Sequence, residues 1–286
     1  MLTILQGSDL HFGSAYDPEA GDAFRRTVRE VAPDLVVIAG DLTQRAKARE
    51  YREARRFLDS LGDAPVVVTP GNHDVPLYRI HERLLVPFAN YRRYISQELD
   101  TVTRVPGAVV VALSTAAPRR AIVNGRLRLE QMEFAARIFQ ESQEGEARIV
   151  VAHHPLASAP DSVPDETLPG AAVILDAFRD MGAELVMGGH FHRGFVARSS
   201  AVCPAHESTD EVVLAYSGTA TSTRGRGSET SKNSCHLLVI DETTIRVEHK
   251  LLDRSSMTFE CLQEITRPRR ARARVAGSSS EQGLSS

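Results

Sequence analysis

The sequence is short of cysteine, lysine and long apolar runs, and each shortage excludes something. Its three cysteines, Cys203, Cys235 and Cys261, stand in no CxxC spacing and are too few for a disulfide framework. That argues against thiolate zinc sites and a cysteine nucleophile, and it fits a reducing, cytoplasmic interior. No apolar stretch approaches the roughly 18 residues that cross a bilayer, so no membrane partner is expected. The opening Met1-Leu2-Thr3-Ile4-Leu5 has no basic segment ahead of its apolar run and reads as a first strand rather than a leader. No internal repeat is present. Of 34 basic residues only three are lysine, a bias that carries no functional reading. What remains is ordinary: 286 residues, 42% hydrophobic and 25% charged, enough to bury the core of one large α/β domain or two small ones without staples.

The formal charge of −3 is divided unevenly: Arg267 to Ser286 hold five Arg and one Glu, a balance of +4, so residues 1–266 carry −7. The sequence reads as a folded domain over residues 1–262 and a basic, Ser/Gly-rich, disordered tail over 263–286. Five arginines on a solvated terminus bind polyanions only weakly, so a nucleic-acid partner is not expected.

Hydrophobic patterning orders the elements. Leu2 to Gly7 is a strand; Asp17-Pro18-Glu19 then looks like an N-cap, a Pro in the first helical position and a first-turn acid, opening a helix to about Ala32. Leu35-Val36-Val37-Ile38, Pro65 to Val68, Val109 to Leu113, Ile149 to Val151 and Glu184 to Met187 are short apolar runs of the kind that strands buried on both faces show. Helical segments are predicted over about 47–61, 129–140 and 171–181, with an irregular stretch over 75–100. Val212 to Tyr216, His236 to Ile240 and Ile245 to Leu251 read as antiparallel strands, whose edges suggest a homodimer. The first two-thirds is β-α-β with parallel strands, and in such sheets ligands gather at the loops leaving the strands' carboxyl ends.

The residues in those loops carry the information. The runs end in Ser8-Asp9-Leu10-His11, Ala39-Gly40-Asp41, Pro70-Gly71-Asn72-His73-Asp74, Ala152-His153-His154-Pro155 and Gly188-Gly189-His190-Phe191-His192. Six of the ten histidines fall in these clusters. Asp, His and Asn without thiolates suit Mn, Fe or Zn. About seven ligands are too many for one tetrahedral ion and suit two divalent ions sharing a carboxylate, which ~3.5–4 Å apart clamp the attacking and leaving oxygens of phosphoryl transfer. With a bridging hydroxide such a centre carries about +1, attractive to a phosphoester.

Asp9-x-His11, Gly40-Asp41, Gly71-Asn72-His73-Asp74, His153 and Gly189-His190-x-His192, all five blocks in order, resemble the signature of the calcineurin-like metallophosphoesterases. The resemblance spans about residues 1–260 and implies a four-layer α/β/β/α sandwich with mixed sheets and helices outside. It implies that Asp9, His11 and His192 hold one divalent ion, that Asn72, His153 and His190 hold the other, and that Asp41 bridges them. In His153-His154 the family pattern runs from apolar residues directly into the ligand, which selects His153 and leaves His154 on the substrate side. His73 corresponds to the family's acid, protonating the leaving alkoxide after attack by a metal-bridging hydroxide, and Asp74 would hydrogen-bond it.

The substrate branch is narrower. Leu42-Thr43-Gln44-Arg45-Ala46 has no Asp-Arg-Gly of the phosphoprotein phosphatases, His73 departs from the Arg of lipid A diphosphohydrolases, and the last 70 or so residues leave little room for a nuclease's DNA-binding domain. His153-His154-Pro155, Leu113-Ser114-Thr115 and Asn124-Gly125-Arg126-Leu127 look like the bacterial cyclic-nucleotide phosphodiesterase-like (class III) branch, although Asp41-Leu42-Thr43-Gln44 departs from its better-known members. The expectation is hydrolysis of a cyclic nucleotide or similar small phosphodiester. The alternatives are a phosphomonoesterase or nucleotide pyrophosphatase using the same site and, from another class, a non-catalytic protein-binding scaffold. The polar segment Ser217 to Arg226 could lay Arg224 or Arg226 against a phosphate. His81, His206, His236 and His249 match no motif and read as surface or core residues, and Arg45 reads as a solvated helix-face residue.

Overall fold

In this computed structural model, residues 1–119, 124–159, 167–204 and 211–269 are described. The first apolar runs become β1 (Leu2–Gly7), β2 (Leu35–Ile38) and β3 (Val66–Val68), and the last third supplies β10 (Ser234–Ile240), β11 (Thr244–Asp253) and β12 (Thr258–Pro268). These form one six-stranded sheet in the order β12-β11-β10-β1-β2-β3. β1, β2 and β3 are parallel, and β10 returns antiparallel beside β1. A second six-stranded sheet holds β4 (Thr101–Val105), β5 (Ala108–Leu113), β6 (Ala147–Ala152), β7 (Leu185–Gly188), β8 (Phe195–Arg198) and β9 (Val213–Tyr216), in the order β4-β5-β6-β7-β9-β8.

The faces of each sheet alternate, so each can bury two apolar layers. Leu2, Ile4, Leu35 and Val37 of the first sheet meet Val110, Ile149, Val151 and Met187 of the second in a core between them. On the outer face of the first sheet, α1 (Pro18–Val31) and α2 (Ala48–Asp59) bring Phe24 and Phe57 onto Leu5, Val36 and Ile38. On the other side, α5 (Leu129–Gln140) and α6 (Ala171–Asp180) bring Phe139, Leu175 and Phe178 onto Val109, Val111 and Val150. The result is the expected α/β/β/α stack. The start of α1 is as the sequence indicates: the Asp17 side chain accepts the Glu19 and Ala20 N–H groups at 3.0 and 3.2 Å, satisfying donors the first turn leaves open.

Four expectations are corrected. The irregular stretch contains two short helices, α3 (Ile80–Leu85) and α4 (Ala89–Tyr94); α4 holds because Tyr91 is buried against Tyr51, a tertiary contact that local pattern does not report. Strands β4 and β8, unassigned from sequence, are antiparallel edge strands. The strand over Val213–Tyr216 is parallel to β7 and antiparallel only to β8, since the chain leaves β7 through β8 and returns to insert β9 between them. The boundary expected at residue 262 falls inside β12, and beyond its end Arg269 pairs with Glu184 at 2.6 Å, so residues 263–269 belong to the fold. His206 and residues 270–286 lie outside the described residues. Among the described residues no helix is long and apolar enough to cross a membrane.

Candidate metal centre

The metal-capable residues lie in turns at the carboxyl ends of β1, β2, β3, β6 and β7, and neighbouring turns are stitched together. The Asp9, His11 and Phe12 N–H groups donate to the carbonyls of Gly40, Asp41 and Leu42 at 3.0, 2.9 and 2.9 Å, prolonging the β1–β2 pairing past both strands. Asp9, His11, Asp41, His190 and His192 all have φ between 50° and 80°, a left-handed backbone that side chains other than glycine adopt only when surroundings impose it. Gly40, at φ +93°, lies so close to the His153 ring that a Cβ would come within 2.5 Å of Nδ1. At Gly71 a Cβ would collide with the Asp41 carboxylate.

The side chains converge in two groups sharing Asp41. In the first, His11 Nε2 and His192 Nε2 face each other at 3.1 Å, with Asp9 Oδ1 at 3.2 Å from His192 Nε2 and 3.7 Å from His11 Nε2. In the second, Asn72 Oδ1 lies 3.2 Å from His153 Nε2 and 3.0 Å from His190 Nδ1, and the two imidazole nitrogens are 3.3 Å apart. Asp41 Oδ2 stands between the groups, 3.7 Å from His11 Nε2 and 3.5 Å from His153 Nε2. Two of the rings are aimed by outer bonds: His153 Nδ1–H donates to the Ala39 carbonyl at 2.8 Å and His192 Nδ1–H to the Arg224 carbonyl at 3.0 Å. Such outer bonds fix the tautomer and leave the inward nitrogen with a lone pair.

This donor set fits a cation. Asp9 Oδ1 and Asp41 Oδ2 are buried without a hydrogen-bond donor, while their other oxygens accept the backbone N–H of His190 and His73 at 3.0 and 2.8 Å. Two imidazole nitrogens facing each other, beside orphaned carboxylate oxygens, is a costly arrangement in a buried site unless positive charge sits among them. Asp9, His11, Asp41 and His192 alone place four ligand atoms within 4.8 Å of one another. Burial would raise the Asp9 carboxyl, but His192 and His11 hold it well below the usual range. Burial likewise opposes ionisation of Asp41, and His153, His73 and His11 override it. Burial pushes His11 down to about 4 and His190, with His153 beside it, down to about 3, so both rings are neutral donors at pH 7.

The other expected site residues separate. His73, half-buried, stands edge-on to His11 with ring centroids 4.8 Å apart. Its Nδ1–H donates to the Gln44 carbonyl at 3.0 Å. This corrects the expected His73–Asp74 bond: the Asp74 carboxylate folds back on its own 3₁₀ turn, accepting from Gly71 N–H at 3.0 Å, Leu42 N–H at 3.1 Å, and Thr43 N–H and Oγ1 at 2.9 and 3.0 Å. Burial and the neighbouring Asp41 raise the Asp74 carboxyl against those donors. His154 does not join the cluster; its Nδ1 is 2.7 Å from Thr115 Oγ1 and its ring lies 4.7 Å from that of His190.

The 217–226 segment is mainly a buttress. Thr219 Oγ1 and Thr221 Oγ1 donate to the Asp9 and Leu10 carbonyls at 2.7 and 3.0 Å, which sequence reading did not foresee. Arg224 is half-buried, makes no side-chain hydrogen bond among the described residues and lies within electrostatic reach of Asp41 and Asp9. Burial, Arg226 and Arg45 lower its pKa, while Asp41 and Asp9 act in the other direction. Arg45 is in the turn before α2, with its guanidinium over the Tyr78 ring at 4.6 Å. His81 is exposed. His236 and His249 are buried and joined: His236 Nε2 is 3.1 Å from His249 Nδ1, whose Nε2 is 3.0 Å from Glu229 Oε1.

The family model described as calcineurin-like phosphoesterase matches residues 2–194. The chain belongs to the calcineurin-like phosphoesterase family. As a member it is a phosphoric ester hydrolase, and the strand-end cluster is its candidate metal centre. It is 25% identical over 213 residues to a probable cyclic nucleotide phosphodiesterase of Synechococcus sp., covering 68% of this chain and 75% of that protein. It is 24% identical over 218 residues to a cAMP/cGMP dual specificity phosphodiesterase of Mycobacterium tuberculosis, covering 72% of this chain and 63% of the relative. A purple acid phosphatase from yellow lupin (Lupinus luteus) seeds superposes with a TM-score of 0.69 at 12% identity, over 94% of this chain and 54% of that one; at that identity the likeness is one of fold. The calcineurin-like fold here thus comes with the metal-capable strand-end turns gathered at one end of the two sheets.

Proposed function

We propose that this phosphoesterase hydrolyses a small phosphodiester, a cyclic nucleotide or a molecule like it, at a centre of two divalent ions drawn from Mn, Fe and Zn. The observation that carries the reading is the convergence of Asp9, His11, Asp41, Asn72, His153, His190 and His192 with His73 beside them. Asp9, His11 and His192 would hold one ion and Asn72, His153 and His190 the other, with Asp41 shared between them. Two such ions supply an activated water and positive charge for the phosphoryl oxygens. The names of the cyanobacterial and mycobacterial relatives support the diester class.

The chain's own residues do the rest. His73 is oriented at both ends, its backbone N–H on Asp41 Oδ1 and its Nδ1–H on the Gln44 carbonyl. Nε2 is therefore the atom that delivers a proton to the leaving oxygen. Arg224 adds a fork-shaped cation for a non-bridging phosphoryl oxygen. Every ligand position and His73 are kept, which counts against a scaffold.

The test is a substrate panel of cyclic nucleotides, glycerophosphodiesters, nucleotide sugars and phosphomonoesters, run on protein reconstituted with each metal. Diesters should be turned over faster than monoesters. A preference for monoesters or pyrophosphates would replace the reading with its alternative, and no hydrolysis by protein holding two equivalents of metal would sink it. His73→Ala should lower kcat about 10²- to 10⁴-fold with metal content unchanged; loss of metal would show that His73 is a ligand.

A further inference from the structure

Beside the candidate centre, at the carboxyl end of β5, lies a cavity of about 370 Å³ lined by Pro87, Ala116, Pro118, Arg119, Arg126 and Arg128 among others. Among the described residues that line it none is acidic. Arg119 and Arg126 have no ion pair or side-chain hydrogen bond among the described residues, and Arg128 has only a 3.7 Å approach to Asp100 Oδ2. Several other arginines are matched by an acid, as in Arg25–Asp22, Arg49–Glu53, Arg55–Asp59 and Arg79–Glu82. Over residues 1–266 of net charge −7, a concave site with three arginines and no acid among the described residues of its wall is a local reversal of sign.

Its place relative to the centre is fixed by contact. Ala116 follows Thr115, Thr115 Oγ1 bonds His154 Nδ1 at 2.7 Å, and the His154 ring stands 4.7 Å from that of His190. The cavity is thus separated from the metal-capable cluster by two side chains and opens at the same end of the sheets. Guanidinium forks match the geometry of phosphate oxygens, and three of them suit a group with three acceptor oxygens and up to two negative charges. The volume admits a phosphate and part of its carrier, not a nucleic-acid duplex.

We propose that this cavity binds a phosphate group other than the one being hydrolysed. The group is either carried on the substrate or free in solution. The first source rests on the phosphodiesterase reading; the existence of the pocket does not.

The experiment titrates inorganic phosphate into metal-reconstituted full-length protein by calorimetry, comparing the native chain with R119Q/R126Q. Two classes of site are expected in the native protein, one of them weakened at least about tenfold in the variant, since charged hydrogen bonds are lost. Metal content and melting temperature report whether the variant keeps its fold. Identical isotherms would overturn the proposal whatever the enzyme hydrolyses. The KM values of the dinucleotide ApA and its terminally phosphorylated forms, pApA and ApAp, then assign the source. A lower KM for a phosphorylated form that vanishes in R119Q/R126Q identifies substrate phosphate, whereas equal KM values with a two-site isotherm identify free phosphate. If no dinucleotide is cleaved, the reaction assignment fails in that arm and the isotherm still decides the pocket.

Discussion

His73 and Asp74 are adjacent in sequence yet serve different parts of the molecule. Asp74 faces away from the imidazole and ties the β2 and β3 turns together through three backbone N–H groups and the Thr43 hydroxyl, while the Gln44 carbonyl holds His73. Asp74→Asn should therefore destabilise the protein by about 1–3 kcal/mol, because a buried donor is left unmatched, and should leave the pH profile of kcat in place; a displaced acidic limb would restore a direct His73–Asp74 coupling. Arg224 is half-buried without a side-chain partner among the described residues, beside Asp41 and Asp9. Arg224→Ala should raise KM for the true diester about 10- to 100-fold, the worth of one charged hydrogen bond, and an unchanged KM would remove Arg224 from the substrate contacts. The candidate ligands were legible in the sequence because each stands directly after an apolar run. The Gln44 carbonyl was not, since any residue has one.

At the scale of elements, the turns after β1, β2, β3, β6 and β7 position the centre. Five of the proposed ligands have left-handed backbone, a conformation that costs on the order of 1 kcal/mol or more per residue and persists only where the surroundings enforce it. The inter-turn hydrogen bonds and the close approach at Gly71 are that enforcement. Gly71→Ala would press a methyl group on the Asp41 carboxylate and should weaken metal binding about 10- to 100-fold, as lost outer support does; metal analysis after dialysis against a weak chelator checks it. Helices α1, α5 and α6 were readable from capping and period because those signals are local. Strands β4, β8 and β12 were not, because they are edges whose faces are partly exposed and so carry a weaker apolar pattern.

Across the whole molecule, two sheets from distant parts of the chain must meet for the centre to exist, and buried polar groups join them. Gln6 on β1 donates to the Gly188 and Ala215 carbonyls of the second sheet at 2.9 and 3.0 Å. Glu229, bonded to His249, accepts the Gly194 N–H at 2.6 Å and so anchors the turn that carries His192. His236, at the end of that relay, is held well below its ordinary pKa by burial and by His249. The unfolded chain then binds a proton that the native chain does not, so stability is full above about pH 6.5 and falls as pH drops below it. Denaturant unfolding between pH 8 and 5 should show this loss, with a shallower slope in His236→Gln; equal slopes would mean that His236 takes no part. Net charge misleads at this scale: a −7 body looks hostile to phosphate, while the arginine-lined cavity reverses the sign locally and two divalent ions at the centre would do the same.

The sequence by itself determined which residues could hold metal and that they would share one end of the sheets, because a residue that follows a buried parallel strand has its position set by that strand. It also determined the order of most strands and helices, because apolar runs and helical periods are local properties, while the layered stack was what the resemblance to the family implied. Only the tertiary structure decided that Asp74 serves the turns rather than His73, and that β9 lies parallel to β7. Each of these depends on the direction of a side chain or strand relative to residues far away in the chain, and that direction is fixed by packing between the two sheets.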